Sequence, residues 1–260
     1  MVNGSPTASE MVDSAGGRCQ LAQIVSSMVV LGIECDRRGL TEDAPYATRF
    51  VSPYEESKVS AERFVLERAR AADLPVVGMR PGMGWGPGDR VILPGLIRAM
   101  SSPLFFMVGN GRNTLDLSYA RNVAHALWLA ATRSEAPGRV YNLADGWGIT
   151  CREYLTTLAK ALGLRVPRLR IPRGMVHFLM RVALPPETEP KGMVLRPSQG
   201  SLLRLCALFR DSEPDTSRIR KELGYVPPVD FATGVAETAA WFREAERLVG
   251  SSGEHGSAGC

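Results

Sequence analysis

The sequence predicts an α/β fold: a parallel sheet with helices packed against it, and a smaller, mostly helical lobe appended on its C-terminal side. Three observations lead there. A β-branched, nearly continuously apolar run at 22–31 (AQIVSSMVVL) has the pattern of a strand buried on both faces, and 74–80 (LPVVGMR) and 139–143 (RVYNL) read as a second buried strand and a third core strand. Helical segments alternate with them, at 52–72 and 121–133. After about Gly148 the texture changes to helices and proline-rich loops.

The elements follow in order. A short helical pattern covers 7–15, and the first buried strand covers 22–31. A polar, charge-rich loop fills 33–51. Ser52 then starts a helix as N-cap, with Pro53 at N1 and Glu55 at the capping-box position. This helix runs to about Ala72, with Val59, Phe64 and Val65 on its apolar side. The second strand, 74–80, leads into a glycine-rich turn, 81–89. A helix at 91–100, a turn at 109–113, a strand at 114–119 and a helix at 121–133 precede the third core strand. In the lobe, Thr150 with Glu153 opens a capped helix to Leu162. A short strand lies between prolines at 167–172, a proline- and charge-rich loop covers 185–199, and helices cover 216–223 and 231–248. The Gly/Ser segment 251–260 reads as a disordered tail.

Composition narrows the function. The chain has 260 residues, 45% hydrophobic and 22% charged, which are ordinary globular values. Its net charge of +4 is scattered rather than gathered into a basic stripe, so nucleic acid is not an expected partner. Cys19, Cys35, Cys151, Cys206 and Cys260 form no C-x-x-C pair, which argues against a disulfide framework or zinc knuckle and for reduced, cytoplasmic thiols. His125, His177 and His255 lack metal-ligand spacing, so no metal site is expected. Residues 1–14 are polar, unlike a signal peptide. The most apolar stretches, 23–33 and 175–184, are too short to span a bilayer. The second is a buried helix or a peripheral membrane contact.

Three groups of residues could carry chemistry. Tyr54 and Lys58, four apart on one helix, fall on the same face. A phenol titrates too high to be a base at neutrality, and a neighbouring ammonium favours the phenolate, so the pair is a workable proton-transfer unit. Alone the spacing is a weak signal, since many helices carry a tyrosine and a lysine so placed. Lys58 is nonetheless lysine in a chain where only four of the 31 basic residues are. Ser26 and Ser27 fall at the end of the first core strand, where parallel sheets present ligands. The turn from Arg80 to Arg90 superficially suggests a dinucleotide-binding fingerprint. It fails because Pro87 stands at the third glycine position and removes an N–H where a phosphate would need one. No other stretch offers a strand, a glycine-rich turn and a helix in succession.

Taken together, these elements resemble the extended short-chain dehydrogenase/reductase superfamily, in the branch of NAD-dependent epimerase/dehydratases and 3β-hydroxysteroid dehydrogenases. IVSSMVVLG (24–32) is similar to the strand that bears the family's serine, five residues before a glycine, which is Ser27 here. YEESK (54–58) matches the family's Tyr-x-x-Ser-Lys, and RPGMGWGPGD (80–89) its Arg-Pro-Gly segment, with Trp85 in place of the usual tyrosine. LDLSYARNVAHA (115–126), VYNLADG (140–146) and the stretch 212–242 resemble later landmarks, and residues 2–15 resemble a helix midway through the family's first domain.

The resemblance implies an N-terminally truncated Rossmann-like parallel sheet over 1–148, with a substrate-lobe excursion at 91–114. A substrate-binding lobe over 149–250 and the tail 251–260 complete it. It implies NAD or NADP as cofactor, although the glycine-rich phosphate loop is absent from this chain. Tyr54 would be the acid/base, Lys58 would hold the nicotinamide ribose, and Ser27 would bond the substrate oxygen. The backbone at Pro81, Gly82 and Met83 would sit against the carboxamide. The implied activity is oxidoreduction of a hydroxyl or carbonyl carbon in a sterol-like or nucleotide-sugar small molecule, by an enzyme that could be a homodimer. The alternative is an inactive remnant, or a half-enzyme that acts only with an N-terminal partner.

Overall fold

The computed structural model describes residues 21–33, 36–50, 52–103, 105–166, 169–172, 174–175 and 210–253. The helix expected at 7–15, the loop at 185–199 and nearly all of the apolar stretch 175–184 lie outside these residues. Strand β1 (Ala22–Val25) is followed by a 3₁₀ turn, η1 (Met28–Leu31), and by the two-residue strand β2 (Arg37–Arg38). Helix α1 (Pro53–Ala71) leads to β3 (Val76–Pro81) and β4 (Met83–Trp85). Then come α2 (Leu93–Ser101), β5 (Phe106–Val108), β6 (Leu117–Tyr119), α3 (Ala120–Thr132) and β7 (Val140–Leu143). The lobe supplies α4 (Cys151–Leu162), β8 (Leu169–Ile171), β9 (Ser212–Glu213), α5 (Ser217–Leu223) and α6 (Phe231–Gly253).

The central sheet has the order β1-β3-β7 and is parallel throughout, with Val25 beside Met79 and Met79 beside Tyr141. Parallel neighbours need crossover helices, which α1 and α3 provide. Side chains alternate across the sheet. Val77, Met79, Tyr141 and Leu143 therefore share one face, where they form a core with Ala126, Leu129 and Ala130 of α3 and with Ile219 and Leu223 of α5. Arg80 and Asn142, paired in register, occupy the opposite face. That face meets α1 and the segment 40–46: Arg80 reaches Glu62 and the Glu42 carbonyl, and Asn142 reaches the Leu40 carbonyl.

A second core gathers Trp85, Leu93, Leu96, Met100, Met107, Leu117 and Tyr119 with Tyr154, Leu155 and Leu158 of α4 and Val235 of α6. The excursion at 91–114 thus packs with the lobe helices. Trp85 lies at its centre, with ring centroids 5.1 Å from Tyr119, 5.7 Å from Tyr154 and 5.9 Å from Phe231.

Helix ends follow local chemistry. Ser52 accepts a hydrogen bond from the Glu55 N–H, and its hydroxyl meets the Glu55 carboxylate at 3.3 Å. Thr150 and Glu153 form the reciprocal capping box. Helix α2 starts differently: both Asp89 oxygens take the N–H groups of Val91, Ile92 and Leu93 at 2.8–3.0 Å, satisfying donors that a helix start leaves without partners.

Three expectations need correction. The strand expected over 22–31 ends at Val25, because Ser27 caps a tight turn and 28–31 coil into η1. The strand is also less covered than its apolar sequence implied: Val25, at the edge of the described sheet, is 46% exposed. Phe64 is off the packed face of α1 and 62% exposed; the buried line is Glu55, Val59, Glu62, Leu66 and Ala69. Helix α6 continues to Gly253, three residues into the segment read as a tail.

Candidate active site

The C-terminal ends of β1 and β3 carry the residues singled out in the sequence. Ser27 follows β1 in extended conformation, and its Oγ accepts from the Val29 N–H at 3.4 Å. An accepting hydroxyl keeps its proton available for another partner. Ser26, also buried, has an Oγ without a hydrogen-bond partner. Helix α1 is seated beside this turn because Val59 packs on Met28, Val30 and Leu31. The residue before Val59, Lys58, donates from Nζ to the Val25 carbonyl at 3.3 Å and lies 5.8 Å from the centre of the Tyr54 ring. Tyr54 is 54% exposed. Thus Tyr54 and Lys58 stand on one face of α1, with the ammonium anchored to the strand end two residues before Ser27.

The turn at 81–83 is held from within. The Gly82 N–H donates to the Leu143 carbonyl at 2.9 Å and to Ser118 Oγ at 3.0 Å, while the Met83 N–H donates to the Asp116 carbonyl at 2.7 Å. Gly82 lacks a Cβ for a steric reason: a Cβ there would drive into the Asp116 carbonyl oxygen and lie 2.9 Å from the Asp116 Cβ. Any ligand contact along 81–83 therefore uses groups other than these two amides.

The residues present fit the nicotinamide-ribose end of a dinucleotide. Lys58 has two further N–H donors beyond the one bonded to Val25. The exposed Tyr54 phenol and the unpartnered Ser26 hydroxyl lie at the same end of the sheet. Among the described residues no group of three or more His, Cys, Asp or Glu could hold a metal, and no helix is long and apolar enough to cross a membrane.

Buried charges that the sequence did not single out as site residues lie near this end of the sheet. Arg80 donates to a single Glu62 oxygen through Nε at 2.9 Å and Nη2 at 2.6 Å, and Tyr46 donates to the same oxygen at 2.8 Å. Glu42 accepts from the Asn142 N–H at 2.9 Å and pairs with Arg218 at 3.4 Å. Burial raises the Asp116 carboxyl, against the pull of Arg37. Asp145, just beyond β7, accepts from the Tyr119 N–H, the Asn122 amide and the Tyr225 hydroxyl. Its carboxyl is pushed up to about 6, chiefly by burial, with those three bonds opposing. Asn122 in turn bonds both the N–H and the carbonyl of Val229, tying α3 to the chain that enters α6. Glu62 had one sequence signal, its place one turn beyond Lys58 on the same helix face; Arg37 and Asp116 had none.

Known proteins resemble this chain in sequence and in fold. At 30% identity over 230 residues, the chain resembles the 3 beta-hydroxysteroid dehydrogenase/Delta 5-->4-isomerase of Mycobacterium tuberculosis, covering 82% of this chain and 59% of that one. It is 34% identical over 206 residues to the 2-alkyl-3-oxoalkanoate reductase of Stenotrophomonas maltophilia, covering 76% of this chain and 61% of that one. It is 29% identical over 182 residues to the decarboxylating sterol-4-alpha-carboxylate 3-dehydrogenase of Mus musculus, covering 68% and 50%. The chain thus spans roughly half to three-fifths of the length of these relatives. Among solved structures, an epimerase from Methanothermobacter thermautotrophicus superposes with a TM-score of 0.65 at 19% identity, over 89% of this chain and 62% of that one. The UDP-glucuronic acid 4-epimerase from Bacillus cereus, in complex with NAD, superposes with a TM-score of 0.64 at 17% identity, over 87% and 62%. Both share the Rossmann-like α/β fold. The sequence pattern of the NAD dependent epimerase/dehydratase family matches residues 9–144, more than half of the chain, and the protein belongs to that family.

Proposed function

We propose that this protein is an NAD(P)-linked oxidoreductase that interconverts a secondary hydroxyl and a ketone on a sterol-like substrate. The observation that carries this reading is the anchoring of Lys58 to the Val25 carbonyl, which holds the Tyr54–Lys58 face at the end of the parallel sheet. The 3β-hydroxysteroid and sterol dehydrogenases among its relatives support the substrate class. So does the apolar lining available in the lobe core, where Met83, Phe105, Trp147, Ile149 and Phe231 are only partly buried.

A bound NAD(P) supplies the hydride acceptor or donor. The chain's own residues manage the oxygen. In the oxidative direction Tyr54 accepts the substrate hydroxyl proton, and in the reductive direction it returns one to the carbonyl oxygen. Ser27 donates its hydroxyl proton to the same oxygen and fixes the carbon for transfer. Lys58 holds its ammonium 5.8 Å from the centre of the Tyr54 ring and offers its two remaining N–H groups to ribose hydroxyls.

The test is NAD(P)-coupled oxidation of a 3β-hydroxysteroid, followed at the nicotinamide absorbance. It uses the chain alone and the chain with a family glycine-rich βαβ unit fused ahead of Met1. Turnover in either form that falls about 10²–10⁴-fold in Tyr54→Phe supports the reading. Undiminished turnover in Tyr54→Phe, or none in either form with any 3β-hydroxysteroid, overturns it.

A further inference from the structure

We propose that Arg37 is a positioning residue that braces the Ser27 turn against the Gly82–Met83 turn, so that one guanidinium sets the spacing between the two sides of the candidate site. This rests on the role proposed for Ser27.

Arg37 belongs to the charge-rich segment that reads in sequence as a solvated loop, yet it is 4% exposed. Its backbone is fixed by the β2–β9 ladder, in which Arg37 is paired with Ser212 and its N–H donates to the Asp211 carbonyl at 2.7 Å. Its side chain then reaches two segments far apart in sequence. Nη1 donates to the Met28 carbonyl at 3.2 Å, and Met28 is the first residue of η1, directly after Ser27. Nη2 lies 3.3 Å from Asp116 Oδ2, with both side chains buried. Asp116 in turn presents its backbone carbonyl to the Met83 N–H, in the space that Gly82 leaves by having no Cβ. The path Ser27–Met28–Arg37–Asp116–Met83 is therefore continuous through bonded contacts.

A buried pair is weak evidence for stability, because desolvation offsets its attraction, and the Arg37 Nε is buried without a partner. An apolar side chain would fill the same space without that unsatisfied donor. What an apolar residue, or a lysine, lacks is a planar fork that addresses two acceptors on different segments at once. That geometry is the property that positioning requires.

The two braced turns each carry a methionine, Met28 and Met83, which makes the inference measurable apart from turnover. The full chain is labelled with carbon-13 at the methionine methyls, and the signals are assigned through Met28→Leu and Met83→Leu. In Arg37→Lys, and independently in Asp116→Asn, the Met28 and Met83 methyl resonances are expected to shift or broaden together. Met79 and Met107, which sit in the two main cores, should keep theirs. Movement of Met28 or Met83 alone, of neither, or of all four overturns the brace. Should Arg37→Lys fail to fold, Asp116→Asn decides by the same criterion, since it keeps the side-chain shape. In turnover, Arg37→Lys is expected to lower kcat about 10–100-fold with KM for cofactor and substrate little changed, as for a misplacement of about 1 Å. An unchanged kcat overturns the positioning role. Retained turnover in Tyr54→Phe would instead overturn the catalytic reading, leaving the methyl signals to decide the brace.

Discussion

Arg80 and Glu62 form a buried ion pair that joins the strand leading into Pro81–Met83 to the helix bearing Tyr54 and Lys58. Two guanidinium N–H groups converge on one carboxylate oxygen, and the side chains are 3% and 0% exposed. The second Glu62 oxygen is buried without a partner, and the Tyr46 ring lies 5.3 Å from the Arg80 guanidinium carbon. Removing one member leaves an uncompensated charge in the interior. Arg80→Met alone should therefore destabilise the chain by about 3–5 kcal/mol in urea unfolding. Arg80→Met with Glu62→Leu should lose markedly less, because both charges leave together. A double variant as unstable as the single would show that the pair itself is strongly net stabilising.

Gly82 and Gly84 separate sterics from sequence pattern. A Cβ at Gly82 collides with Asp116, whereas one at Gly84 meets nothing within 4 Å. Gly82→Ala should cost about 1–3 kcal/mol as an overpacked site. Gly84→Ala should leave the melting temperature nearly unchanged. Equal effects from the two changes would contradict the packing described around Asp116.

Asp145 imposes a pH dependence on stability. Its carboxyl titrates near 6 in the folded chain against an ordinary 3.8. Between those values the folded state binds more protons than the unfolded state, so stability falls as pH rises. The contribution is fully present below about pH 4 and lost by about pH 6, a change on the order of 3 kcal/mol. Urea unfolding of wild type and Asp145→Asn from pH 4 to pH 7 should give a difference that changes across this window and is flat above it. A difference independent of pH would place the Asp145 pKa near its ordinary value.

Lys58 separates charge from shape. On the proposed mechanism, in which the ammonium stands beside the Tyr54 ring and supplies donors for the ribose, Lys58→Met should abolish turnover and weaken NADH binding. Lys58→Arg should not restore either property, since a planar guanidinium does not reproduce a compact ammonium bonded to the Val25 carbonyl. Lys58 is only half-buried, so both variants should melt close to wild type. Full activity in Lys58→Arg would reduce the requirement to charge alone.

Much of this architecture was legible along the chain because its causes are local. Ser52, Thr150 and Glu153 cap helices through contacts three residues away, so their spacing suffices to identify them. The strand at 74–80 declares itself by its apolar stretch Val76–Met79. The Tyr54–Lys58 face is a consequence of helical period alone. Where competing local preferences met, the reading went astray: the β-branched run 22–31 is half strand and half 3₁₀ turn, because the Ser27 cap outweighs strand propensity beyond Val25.

By itself, then, the sequence determined the α/β alternation, the helix starts and the presence of a tyrosine and a lysine on one helical face, all set by interactions within a few residues. Only the tertiary structure decided which charges are interior. Arg37 meets Asp116 across 79 positions in sequence, Arg80 meets Glu62 across the sheet–helix interface, and Asn122 meets Val229 from 107 residues away. A charged residue carries no local mark of a distant partner. Whether it is solvated or buried depends on whether folding brings a complementary group close enough to offset its desolvation.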